Sequence, residues 1–202
     1  MNPPQGNHKK AQAERPFSTL KRKSWHFLGL IIPFSYYYAG KEPLVMVLFF
    51  LALLSLLIDI IRLKNSRVNQ VFIRLFGFML KKEEKNFLNG TTFFLTGALA
   101  AIWFFSQKAA IFAILVLAVC DPLASIVGKS LGRIRIGTKT LEGSLTFFLT
   151  ALLLSYLFFD GITWSIVGGA MIATIVEWVP IVVDDNLKIP VSVAAYYHFF
   201  VK

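Results

Sequence analysis

The chain is poor in charge, in cysteine and in histidine. Only 16% of its 202 residues are Asp, Glu, Lys or Arg, against roughly a quarter in a water-soluble domain. The single cysteine, Cys120, excludes an intrachain disulfide. With three histidines beside it, there is no Cys/His cluster for zinc. No Gly-x-Ser-x-Gly elbow is present. Basic–aromatic interleaving of the kind that stacks single-stranded nucleic acid is also missing, so the +10 net charge does not point to nucleic acid. Gly128-Lys129-Ser130 mimics the end of a P-loop, but the first glycine of that motif would stand at 123, where the chain has Leu123.

Apolar residues are abundant. They make up 56% of the chain, aromatics 15%, and mean hydropathy is +0.64. The stretches 42–61, 91–106, 109–120, 144–159 and 162–183 are nearly free of charge. A membrane-crossing helix needs about 20 apolar residues. On that scale the sequence predicts an all-α, polytopic integral membrane bundle of about seven transmembrane helices. They fall near 25–39, 43–61, 91–106, 109–127, 144–159, 162–183 and 190–201. Residues 1–21 are expected to form a basic, disordered cytoplasmic tail, and 22–202 a single transmembrane catalytic domain. The late apolar run, without a small-residue cleavage site, does not resemble a secretory signal. Compact length without extra N-terminal spans points to a prokaryotic cytoplasmic membrane.

Lysine and arginine gather on the cytoplasmic side of membrane proteins. With the N-terminus inside, eighteen of the cationic residues fall on the inner segments, leaving Lys41, Lys108 and Lys202 outside. The outer turns, Gly40–Pro43, Ser106–Lys108 and Asp160–Gly161, are minimal, so chemistry is assigned to the cytoplasmic face. There, Val68, Val71, Phe72, Leu75, Phe76 and Met79 recur at helical spacing among Arg67, Arg74, Lys81 and Lys82. This predicts a basic amphipathic helix, lying in the headgroup layer or packed over the bundle.

Ionisable residues within or at the edge of spans are costly and usually functional. Asp59, Asp121, Glu177, Asp184 and Asp185 qualify, with Glu142 on the adjoining loop; Asp59, three residues before Arg62, is expected to pair with it. Asp121, Ser125 and Lys129 fall at i, i+4 and i+8, on one helix face. Gly128, Gly132 and Gly137 leave backbone amides open to an anion, with Lys129, Arg133, Arg135 and Lys139 around them. The chain re-enters the bilayer through Thr140, Glu142, Gly143 and Ser144, a helix start that favours phosphate. Carboxylates at both ends of such a cradle suit a Mg²⁺-nucleotide. A second group is Glu177 with Asp184-Asp185-Asn186. Glu177 and Asp184 share a helix face if Pro180 only kinks the helix, and Pro190 opens the next one. A third is Arg22-Lys23-Ser24-Trp25-His26 at the first membrane crossing, where Trp25 and the cations also suit interfacial anchoring.

Taken in order, these elements resemble the polyprenol kinase family, which includes dolichol kinase, phytol kinase and the CTP-dependent diacylglycerol kinase. The matching positions are Arg22-Lys23-x-x-His26, Glu84 with Gly90-Thr91-Thr92, and Asp121-x-x-Ala124-Ser125-x-x-Gly128-Lys129-x-x-Gly132. Lys139-Thr140-x-Glu142-Gly143-Ser144 and Glu177 with Asp185-Asn186-Leu187-x-Ile189-Pro190 complete the set. Cys120 stands where the family often has glycine. The Lys139-Thr140-x-Glu142-Gly143 form is closer to the dolichol kinase branch, which tilts the expected acceptor toward a long prenyl alcohol.

The resemblance implies transfer of the CTP γ-phosphate to the hydroxyl of a lipid alcohol, with Mg²⁺. Asp121, Lys139, Glu142 and Asp185 are the expected catalytic residues, and Asp121, Glu142 and Asp185 the expected metal ligands. Asp121 could serve as base or as metal ligand. Ser125, Gly128, Lys129, Gly132, Arg133, Thr140, Gly143, Ser144 and Asn186 would bind nucleotide or phosphate. Arg22, Lys23, His26, Glu84 and Glu177 would bind or orient the lipid. The residues themselves leave two alternatives: a cytidylyltransferase forming a CDP-lipid, and a transporter. Against the first, the closing His-Gly-Gly and Asp-Arg elements of that family are missing; against the second, no internal repeat is evident.

Overall fold

The structure is a computed structural model, and it describes residues 27–201 apart from 82, 138, 160, 162 and 180–182. Arg22, Lys23 and His26 therefore lie outside the described residues, as do the expected tail and Pro180. The described chain is all-helical apart from one small hairpin. Its helices are α1 (Ile31–Ala39), α2 (Lys41–Lys64), α3 (Ser66–Phe76), α4 (Gly90–Phe104), α5 (Gln107–Ser130), α6 (Leu141–Phe159), α7 (Trp164–Trp178) and α8 (Asp185–Phe200). Three of them, α2, α5 and α6, are long and apolar enough to cross a membrane; α4 and α7 are apolar but shorter.

Helix α5 is the axis of the bundle. Thirteen of its 24 residues are buried, from Ala109 to Ala124, and α1, α4, α6 and α8 all pack against it. Small side chains such as Ala110, Ala113 and Ala118 allow this crowding on every side. Helix α2 lies outermost, burying one stripe (Leu44, Leu48, Ala52, Asp59, Arg62) against α4 and leaving the rest of its apolar surface exposed.

Pro122 sits inside α5 without ending it. Asp121, Ser125 and Lys129 therefore share a continuous helix, as their spacing predicts. Two expectations about the C-terminal pair fail. Helix α7 stops at Trp178, whose successor Val179 is extended, so Glu177 and Asp184 do not lie on one helix. The next helix begins at Asp185 rather than at Pro190, because the Asp184 side chain accepts the Asn186 amide and caps it. Proline is tolerated inside both helices because tertiary packing on buried faces outweighs one missing backbone hydrogen bond.

At one end of the bundle a fully buried ion pair locks the connections. Arg62 Nε donates to Asp59 Oδ1 at 2.6 Å, as the sequence predicts. The guanidinium also donates to the carbonyls of Glu84 (3.0 Å) and Phe87 (2.6 Å) and to Asn69 Oδ1 (3.2 Å). Asp59 in turn accepts from the Asn89 amide (2.9 Å), Asn89 Nδ2 (2.9 Å) and Thr92 Oγ1 (2.7 Å). The amphipathic helix α3 folds back over this node, with Phe72 under the Arg62 guanidinium at 4.8 Å.

Candidate active site

Four elements converge at the same end of the bundle. The C-terminal half of α5 brings Asp121, the end of α7 brings Glu177, the start of α8 brings Asp185, and a hairpin between α5 and α6 brings Lys139. Each of the three acids places a carboxylate oxygen within 4.8 Å of the others. Lys139 is the bridge. Its ammonium donates to Asp185 Oδ2 at 2.9 Å and to Glu177 Oε1 in a short ion pair. Burial alone would push that ammonium down, but the Asp185 and Glu177 carboxylates outweigh it and hold its pKa above the ordinary lysine value. Lys188, one turn along α8, pairs with Asp185 Oδ1 at 2.8 Å and donates to the Val179 carbonyl at 2.7 Å.

The hairpin owes its shape to Gly137, whose φ of 65° lies in the left-handed region. It pairs Arg135 with Thr140 and Ile136 with Lys139. Glu142 holds it in place: its Oε1 accepts the amides of Arg133 (2.8 Å) and Ile134 (3.2 Å). The structure thus places the Glu142 carboxylate on the hairpin backbone, outside the cluster of three acids, and puts Glu177 in the position expected for Glu142. The glycines also have a packing role. A Cβ on Gly128 would lie 2.6 Å from Thr140 Oγ1, and one on Gly132 2.7 Å from Thr140 Cγ2. Their smallness lets the hairpin and α6 close onto α5.

A second network supports the first. Glu84, buried, accepts the Lys81 amide at 3.1 Å, and Lys81 Nζ reaches Asp184 Oδ2 at 2.6 Å. Burial raises the pKa of the Glu84 carboxyl above its ordinary value, against the lowering influence of Lys81. Asn186 Nδ2 donates to the Gly90 carbonyl at 3.2 Å and ties α8 to α4. Glu84 and Asn186 therefore fix the relative positions of the elements that carry Asp185.

The three acids, Lys139, Lys81, Glu84 and Asn186 all line one cavity of about 1340 Å³. Its charged end is lined by Asp121, Glu177, Asp185, Lys129, Arg135 and Lys139, with the hydroxyl residues Ser125, Thr140 and Ser144 beside them. Arg133 is not among the lining residues; Arg135, counted from sequence only as one more loop cation, is. Lys188 was also missed, since the positive-inside rule explains it as well as function does. Among the described residues two buried side-chain oxygens lack a hydrogen-bond partner: Glu177 Oε2 and Ser144 Oγ. An orphaned, buried carboxylate oxygen within a set of hard oxygen donors fits a divalent cation such as Mg²⁺. Glu177 and Asp185, with Asp121 adjacent, are the residues able to hold it.

Comparison with known proteins gives a consistent picture. No family model matches the chain, and no solved structure does. An uncharacterized protein of Rickettsia prowazekii is 31% identical over 182 residues, covering 85% of this chain and 89% of its own length. The CTP-dependent diacylglycerol kinase 1 of Eremothecium gossypii is 30% identical over 172 residues, 71% of this chain. The chain spans about half of that relative, 54% of its length. The protein of the same name in Schizosaccharomyces pombe is 26% identical over 196 residues, 85% of this chain and 88% of the relative. With motif order, buried acidic cluster and relatives in agreement, the chain is similar to the CTP-dependent diacylglycerol kinases, a polyprenol kinase-like group of lipid kinases.

Proposed function

We propose that the protein is an integral membrane kinase that transfers the γ-phosphate of CTP to the hydroxyl of a lipid alcohol at the cytoplasmic face. The observation that carries this reading is a cavity in which a cluster of three carboxylates and Lys139 meets an apolar wall of Leu48, Leu51, Leu54, Phe94 and Leu95. A phosphate donor needs the charged end, and a lipid tail needs the apolar one. A prenyl alcohol is the favoured acceptor on the Lys139-Thr140-x-Glu142-Gly143 form. Diacylglycerol is the second reading, supported by the printed names of the fungal relatives.

The geometry supports the following roles. Asp121 accepts the proton of the lipid hydroxyl as its oxygen bonds to the γ-phosphorus and the bond to the bridging oxygen of CDP breaks. Lys129, Arg135 and Lys139 bind the phosphates and offset charge that develops on them. The Ser144 and Ser125 hydroxyls donate to phosphate oxygens. Glu177 and Asp185 would hold Mg²⁺, which supplies charge neutralisation of the triphosphate. Lys139, tied to both carboxylates, offsets their mutual repulsion. Glu142 and Asn186 act through position, the first on the hairpin and the second on α8.

Isotope transfer by purified protein in detergent tests the reading, with Mg²⁺ and a panel of polyprenols, phytol and diacylglycerol. CTP labelled at the γ-phosphate is run beside CTP labelled at the α-phosphate, with γ-labelled ATP as control. Label from the γ position is expected in the lipid. Label from the α position would make the protein a cytidylyltransferase, and no label from folded protein would sink the kinase reading.

A further inference from the structure

The apolar part of the cavity has an open side. Helices α1 and α2 are joined by Gly40 alone, at the end of the bundle remote from the acidic cluster. From there they diverge onto different partners, α1 onto α5 and α2 onto α4. Both line the cavity: Ile31 and Ile32 from α1, Leu48, Leu51, Leu54 and Ile58 from α2. Several of these residues are nonetheless exposed, Ile31 by 69%, Leu51 by 44% and Leu54 by 55%. Residues that line a cavity and also face outward mark an opening in its wall. Helix α2 is long and apolar enough to cross a membrane, and an opening beside such a helix is placed to meet hydrocarbon.

We infer that the acceptor lipid enters sideways, from the bilayer, between α1 and α2, and that Leu51 and Leu54 line the slot for its hydrocarbon chain. This rests on the lipid kinase reading and adds to it a route and a binding surface. Phe94 and Leu95 of α4 and Ala124 of α5 line the same cavity, as does Asp121. Chemistry selects the occupant. An apolar channel open to hydrocarbon along its length and ending at carboxylates fits a long-chain alcohol, whose tail stays in lipid while its hydroxyl alone reaches polar groups. Phe72 and Phe76 of α3 also line the cavity, with Met79 just beyond the helix, which gives α3 a share in covering the bound chain.

The stripe Leu48, Leu51, Ser55 and Ile58 follows helical spacing, and Leu53 and Leu57 occupy the opposite side of α2, outside the cavity. That contrast supplies the test. Leu51→Trp and Leu54→Trp narrow the slot; Leu53→Trp and Leu57→Trp add the same bulk on the outer face. The slot variants are expected to raise the KM for a long-chain alcohol by about tenfold with the KM for CTP unchanged, and the outer-face variants to match wild type. A second measurement does not need turnover. A long-chain alcohol carrying a diazirine in its tail is photolysed with wild-type protein in micelles and the adducts are mapped by mass spectrometry. Adducts concentrated on Ile31, Leu51, Leu54 and Phe94, and removed by excess unlabelled alcohol, are expected. Equal KM values for slot and outer-face variants would overturn the inference. So would adducts spread over Leu53 and Leu57 that the unlabelled alcohol does not displace. If wild-type protein transfers no phosphate at all, the kinase reading fails, while the adduct map still decides the slot.

Discussion

Two buried charged networks lie side by side at one end of this bundle, and they differ in completeness. Around Asp59 and Arg62, both fully buried, the carboxylate accepts four hydrogen bonds and the guanidinium makes four. Around Asp121, Glu177, Asp185 and Lys139, one carboxylate oxygen and a neighbouring hydroxyl stay unpartnered and the group faces a cavity. A network that satisfies itself is scaffold. One that leaves hard oxygen donors unsatisfied, beside cations and an apolar channel, is arranged for something that arrives later. Burial and charge alone do not separate the two; the accounting of partners does.

The comparison can be broken from either side. The largest expected effect is on turnover: Asp121→Asn or Lys139→Ala should lower phosphate transfer about 10³-fold or more, comparable with losing a principal electrostatic group in phosphoryl transfer. Circular dichroism and thermal midpoint should stay near wild type for Asp121→Asn. Arg62→Ala should do the reverse. Removing one partner of a buried pair costs about 3–5 kcal/mol, so its thermal midpoint and folded yield should fall, with activity lost only in proportion to folded protein.

Next come the two acids whose expected and observed places differ. Glu177→Gln should raise the Mg²⁺ concentration needed for half-maximal activity, read from a Mg²⁺ titration. Glu142→Gln should lower turnover about tenfold through a loosened hairpin and leave that Mg²⁺ midpoint in place. A shifted midpoint in Glu142→Gln would return Glu142 to the metal set.

The smallest effect is on pH. The Lys139 pKa is held above its ordinary value of 10.5 by the carboxylates around it. Its contribution to stability is therefore full below 10.5 and is lost only as pH rises through the higher folded value. Thermal midpoints of wild type and Lys139→Met should differ by a constant amount through neutral and mildly alkaline pH and converge above that value. Convergence already near neutrality would mean that the ion pairs with Glu177 and Asp185 are weaker than the geometry implies.

Much of this was legible in the sequence. Asp121, Lys139 and Asp185 stand out because ionisable groups at the edges of apolar runs are costly, and Asp59 with Arg62 because their spacing puts them on one helix face. Continuous apolar runs placed the helices well in the middle and poorly at the ends. Capping by Asp184 moved the start of α8 five residues ahead of Pro190. That shift matters, because it sets Asp185 and Asn186 on the first turn of a helix. Membership of the cluster was less legible. Glu142 and Glu177 look equivalent along the chain, both acids at a span boundary, and only the turn of the hairpin sends one to backbone amides and the other to Lys139. The proposed slot between α1 and α2 has no local signature at all, since the cavity-lining and outward-facing residues of α2 are equally apolar.

The most direct test of the distinction between scaffold and site is γ-phosphate transfer from CTP by Glu177→Gln, measured beside wild type on protein of equal thermal midpoint. Transfer well below wild type at limiting Mg²⁺, with folding retained, is the predicted result. Wild-type transfer would mean that the orphaned carboxylate oxygen serves no chemistry and that the acidic cluster is a second scaffold.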